Sequence, residues 1–157
     1  MLKRLICSVL LVIGAVAFSS LGTAQADNDG VVKLKSAYPM PETIQRMKKD
    51  IADKGIQFFA EIDQAKLAAD AGITLLPSTL LVFGNPPLGT LFITADPDAG
   101  LDWPVRVLVY QDAKGDVWVA YTDFEWIRKR HGIGSRDKEF KMASEVIGSI
   151  ASTVKAN

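Results

Sequence analysis

Asp96, Asp98 and Asp102 fall within the seven residues DPDAGLD, and carboxylates at that spacing suggest a calcium loop first. A twelve-residue calcium loop needs oxygen ligands at positions 1, 3 and 5, glycine at 6 and a bidentate glutamate at 12. Counted from Asp96, position 5 is Gly100 and position 12 is Val107, so the pattern fails. Asp96 and Pro97 instead read as the end of a helix, and Asp102-Trp103-Pro104 as the lead into a strand, because proline and aspartate favour turns for local backbone reasons. His131 is the only histidine and Cys7 the only cysteine, which is too few ligands for a structural zinc. Four consecutive basic residues end at His131, a position favoured at the negative end of a helix dipole. The chain carries no Gly-x-Ser-x-Gly elbow, and GNPPLG lacks the lysine and serine or threonine that complete a phosphate loop. No catalytic residue, cofactor or metal is therefore assigned.

Four side chains remain as ligand-binding candidates. Asp63 stands at one strand end, Asn85 after a second and Asp123 after a last one, with Tyr121 close by. In open α/β sheets ligands gather beyond strand C-terminal ends, a rule that holds for parallel sheets. Asp63, Asn85 and Asp123 are also good helix N-caps. The three tryptophans, Trp103, Trp118 and Trp126, suit a core or a dimer interface, where aromatic residues are enriched.

The elements that must position these groups are legible as periodicities. VVKLKSA opens with an apolar-polar alternation and reads as an outer strand. Pro41 and Glu42 start a helix whose face is Ile44, Met47 and Ile51, and Gly55 ends it. IQFFAEID alternates, placing Ile56, Phe58, Ala60 and Ile62 on one side. QAKLAADAG is a short helix, and STLLVFG, apolar on both faces, a central strand. A helix follows Asn85. VRVLVYQDAKGDVWVAYT reads as a hairpin around DAKG. Thr122 and Glu125 fit a capping box, with Tyr121 and Trp126 as its hydrophobic staple. A last helix spans about Arg136 to Val154 with Phe140, Ala143, Val146 or Ile147, Ile150 and Val154 on its buried stripe. The fold class expected is α/β of the α+β type. It is a two-layer sandwich with a mixed, mostly antiparallel sheet of about five strands and helices mainly on one face.

The N-terminus speaks to destination. Lys3 and Arg4 precede an apolar run from Leu5 to Phe18, and Ala24-Gln25-Ala26 is a small-x-small motif. That run falls short of the ~20 residues of a spanning helix, so residues 1–26 read as a secretory signal peptide cleaved between Ala26 and Asp27. Residues 27–35 are then a leader and the start of the first strand, and 36–157 a single domain. The mature chain would lose its only cysteine, which fits a bacterial periplasm and a domain stabilised by its core. It would also lose Lys3 and Arg4, leaving 16 of 18 basic residues against 18 acidic ones, a net of −2. That balance speaks against a nucleic-acid partner and against electrostatic attachment to a membrane.

SAYPMPETIQRMKKDIADKGIQFFAEID, LLPSTLLVFGNP, AGLDWPVRVLVYQDAKGDVWVAYTD and IRKRHGI, in this order, resemble the bacterial and archaeal domain of unknown function family 302, over about Ser36 to Ile133. The distinctive pieces are Ile62-Asp63, the turn Gly84-Asn85-Pro86 and the hairpin ending in Tyr121. The resemblance implies a compact two-layer fold, often a homodimer, and no settled activity. Many members carry histidine after the Ile-Asp pair; this chain has Gln64. The expected function is an exported, periplasmic or secreted module that binds a small molecule or a protein without catalysis and forms a homodimer. The alternative is a carboxylate-based enzyme with a site near Asp63, Asn85 and Asp123.

Overall fold

A computed structural model describes residues 29–156. The expected signal peptide and its cleavage site at Ala26 and Asp27 lie outside the described residues. In chain order the elements are β1 (Val31–Lys35), α1 (Met40–Asp53), β2 (Gln57–Asp63), α2 (Gln64–Asp70), β3 (Ser78–Gly84), α3 (Pro86–Ala95), a 3-10 turn (Pro97–Leu101), β4 (Val105–Gln111), β5 (Val117–Thr122), α4 (Phe124–Arg130) and α5 (Asp137–Ser152). The strands form one sheet in the order β1-β5-β4-β3-β2. Every pairing in it is antiparallel, so the expected α+β sandwich is present without a parallel pair.

Alternation along the strands decides which side of the sheet carries the core. Leu34, Val119, Val109, Val107, Leu81 and Phe83 point to one side and are buried. Ile44, Met47 and Ile51 of α1, Phe92 of α3, Phe124 and Ile127 of α4 and Phe140, Ile147 and Ile150 of α5 cover them in one continuous cluster. The Phe92 and Phe140 rings meet at 4.3 Å between centroids. The opposite face carries no such layer: Leu80, Val82, Leu108, Tyr110 and Trp118 are half-buried there, and Phe59 and Ile62 are 41% and 37% exposed.

Two expectations need correction. The alternation in β2 does not run unbroken, because a bulge between Phe58 and Ala60 shifts the register. Phe58 pairs with buried Phe83 on the core side, whereas Ala60 and Ile62 pair with Val82 and Leu80 on the open side. A one-residue insertion in a period-two pattern exchanges the faces of everything beyond it. Glu61 and Asp63 are thereby turned to the helix side, opposite Leu81 and Thr79. The second correction concerns α4, whose N-cap is Asp123 and not Thr122. Thr122 is the last residue of β5, paired with Val31, while Asp123 Oδ1 accepts from Trp126 N at 2.8 Å. Trp126 lies against Gly30, where a Cβ would overlap the indole.

Candidate functional site

An open groove of about 960 Å³ lies at the end of the sheet where β2 finishes and β3 begins. Tyr38 and Met40 at the start of α1 and Leu75 and Pro77 before β3 are among its lining residues. Its floor is the sheet itself. The chain is shaped for this by a tie at β1: Ser36 N donates to Val117 O and Ala37 N to Val154 O, both at 2.8 Å. The Ser36 and Thr43 hydroxyls are joined at 2.7 Å, which fixes the loop from β1 into α1.

Asp63 faces this groove. Its Oδ1 caps α2 by accepting from Lys66 N at 2.8 Å, and its Oδ2 has no partner among the described residues. The other charges at the groove are paired: Glu61 with Lys48 at 2.6 Å, and Asp116 with Lys35 at 2.7 Å. Across the ladder from Asp63 is Thr79, 6% exposed, whose hydroxyl makes no hydrogen bond within the described residues. No buried side-chain oxygen or nitrogen there is without a partner, so this hydroxyl opens onto the groove that Thr79 lines. At the position where the resemblance implies histidine, Gln64 Oε1 accepts from Ser78 Oγ at 2.7 Å.

The other candidates are elsewhere. Asn85 caps α3, accepting from Leu88 N at 3.2 Å, and borders a small apolar hollow beneath Trp103. Tyr121 pairs with Val32 and Val107 on the core side, and burial first, then the Asp123 carboxylate, pushes its phenol up. A phenol held protonated is a donor and no base. Asp123 caps α4. The four do not meet in one place, since the six residues from Thr79, beside Asp63, to Asn85 put about 20 Å of strand between them. The physical reason is the antiparallel order, which sends successive strand ends to opposite edges.

One polar cluster was not foreseen. The Asp102 side chain, 5% exposed, holds His131 Nε2 at 2.7 Å, Arg130 Nη1 at 3.1 Å and Arg106 Nη2 at 3.4 Å. It ties the end of α4 to the turn before β4. The His131 backbone does close α4, as expected from its place in the sequence, with N donating to Ile127 O at 3.1 Å. Its side chain serves a partner 29 residues away, which no local signal announces. Asp96 accepts from Asp98 N and starts the 3-10 turn, so the three aspartates of DPDAGLD diverge.

A small α+β module, with helices on one side of an antiparallel sheet and a groove at one sheet end, is the class that this geometry defines. The chain belongs to the family called domain of unknown function DUF302, which matches residues 32–156. Its fold resembles the crystal structure of uncharacterized conserved protein DUF302 from Bacillus stearothermophilus, with a TM-score of 0.73 at 13% identity over 80% of this chain and 98% of that one. It is also similar to the fluoride-specific ion channel FluC 1 of Brucella suis biovar 1, 35% identical over 107 residues, 68% of this chain and 42% of the channel protein. FluC 2 of Brucella melitensis biotype 1 matches at 35% over 107 residues, covering 68% and 40%. The chain thus spans about two fifths of the length of these curated relatives. Among the described residues no helix is long and apolar enough to cross a membrane.

Proposed function

We propose that this protein is an exported, periplasmic module that binds a small molecule in the groove beside Asp63, without catalysing a reaction, and that pairs with a second copy through the open sheet face. The observation that carries the reading is the groove, which combines a drug-sized volume with convergent polar groups and apolar walls. Support for export is the residue pattern of 1–26 alone. Support for pairing is the uncovered sheet face, where Leu80, Val82, Leu108 and Trp118 lie beside Lys33 and Arg106. Five strands at ~4.8 Å spacing and about six residues of length give a plan area of roughly 500 Å², which with side-chain relief approaches the ~800 Å² per partner of a stable interface. A carboxylate enzyme built on Asp63, Asn85 and Asp123 together would need groups that the antiparallel order keeps at opposite sheet edges.

The relatives' fluoride conduction suggests a second reading, in which the module takes part in handling that anion. The geometry disfavours a fluoride site in the groove, because the unpaired group there is the Asp63 carboxylate and like charge repels. The test of the main reading is native mass spectrometry of the protein released from periplasm under gentle conditions. The expected spectrum shows a chain starting at Asp27, a dimer and a reproducible mass excess. A bare monomer would sink both the retained ligand and the pairing.

A further inference from the structure

Two polar groups of the groove that lack a protein partner are neighbours. Asp63 and Thr79 are register partners on the same side of the β2–β3 ladder, which puts their Cβ atoms about 5 Å apart. Asp63 is the one groove carboxylate without a cationic partner among the described residues. The Thr79 hydroxyl, on a residue more than nine-tenths buried, is unpartnered and opens to the same space. Both groups can accept a hydrogen bond from a ligand, the carboxylate more strongly than the hydroxyl. Lys66, the nearest lysine in sequence to Asp63, is engaged by Asp70 at 2.8 Å and supplies no charge to the groove.

We propose that the groove ligand is a small organic cation, a primary amine with an apolar body, and this rests on the groove being the binding site. The ammonium donates to Asp63 Oδ2 and to Thr79 Oγ1, a charge-assisted bond beside a neutral one. An ammonium has three donors and no acceptor, which matches a pair of acceptors better than a carboxylate or phosphate does. The apolar body lies against the apolar groove lining, which includes Tyr38, Met40, Leu75 and Pro77. The bulge in β2 is what makes the site, since without it Asp63 would face the open side of the sheet.

The test compares three six-carbon probes that differ only in their head group: hexylammonium, hexanoate and hexanol. The full chain is expressed with its own leader, purified as the cell processes it, and followed by amide NMR shifts at neutral pH. Hexylammonium is expected to shift the Asp63, Thr79 and Leu75 amides saturably, with hexanoate inert. Asp63→Asn keeps a good N-cap and removes the charge; Thr79→Val keeps the shape and removes the hydroxyl. Asp63→Asn is expected to weaken hexylammonium about tenfold or more, and Thr79→Val a few-fold, following the charged and neutral bond scales, with both spectra otherwise native. Saturable binding of all three probes with equal affinity would overturn the cation assignment while leaving the groove as a binding site. No saturable shift from any probe would overturn the groove reading as well.

Discussion

At the scale of single residues, Asp102 is the side chain on which most depends. It is a buried carboxylate facing one imidazole and two guanidinium groups, and removing one member of a buried polar cluster leaves the rest desolvated and unpaired. The full penalty for a buried pair is about 3–5 kcal/mol. Because Arg130 and Arg106 are 44% and 50% exposed and regain water, Asp102→Ala is expected to cost less than that, about 2 kcal/mol, read from urea unfolding. His131→Ala in the Asp102→Ala background should then cost less than alone, since coupled residues are non-additive. Equal costs in both backgrounds would show that the pair does not interact. Asp112 illustrates a titration. The Trp118 indole N–H, at 2.9 Å, together with backbone N–H groups, holds its carboxyl below the usual carboxylate range. A depressed folded pKa gives stability that is present above the unfolded value of about 3.9 and lost as pH falls through the folded one. Trp118→Phe is expected to flatten the acid limb of the unfolding curve below about pH 4, measured by circular dichroism.

At the scale of elements, α3 and α5 give opposite forecasts for the same substitution. A Cβ on Gly89 would overlap Trp103 Nε1, where the indole closes over α3. Alanine gains about 1 kcal/mol of helix propensity, but overpacking a core costs about 1–3 kcal/mol, so Gly89→Ala is expected to destabilise. A methyl group on Gly148, inside α5, would meet nothing within 4 Å. Gly148→Ala should therefore keep most of the propensity gain, up to about 1 kcal/mol. Thermal melts of the two variants side by side check the pair of signs. The helices are otherwise ended and begun by residues that are readable in sequence. Asp63, Asn85 and Asp123 each accept a backbone N–H from the third residue on, the ordinary work of an N-cap. The β2 bulge was not readable, because IQFFAEID alternates without a break in its letters; the pairing with β3 decides where the extra residue goes.

At the scale of the whole molecule, the sheet presents a helix-covered side and a bare one. Leu108 sits at the centre of the bare side, on the middle strand, opposite Leu80 and Ala120. A charge there must be desolvated in any assembly across that face but remains hydrated in a monomer. If the proposed pairing uses this face, Leu108→Lys is expected to shift the sedimenting species from dimer to monomer while the circular dichroism spectrum stays unchanged. A dimer that survives the substitution would place the contact on another surface.

The sequence alone determined the kinds and order of the elements, since alternation, helical stripes, caps and stop residues act over a few positions. An apolar run on both faces marked β3 as an interior strand, and its pairing with β2 and β4 agrees. What the sequence left open was which ends of those elements come together. That depends on strand direction, and an all-antiparallel sheet divides Asp63 from Asn85, Tyr121 and Asp123. It depends also on contacts between distant residues, such as Asp102 with His131, and on a bulge in β2 that turns Asp63 to the side of Thr79. Only the tertiary structure decided these, because hydrogen-bond register and side-chain packing are properties of two segments at once.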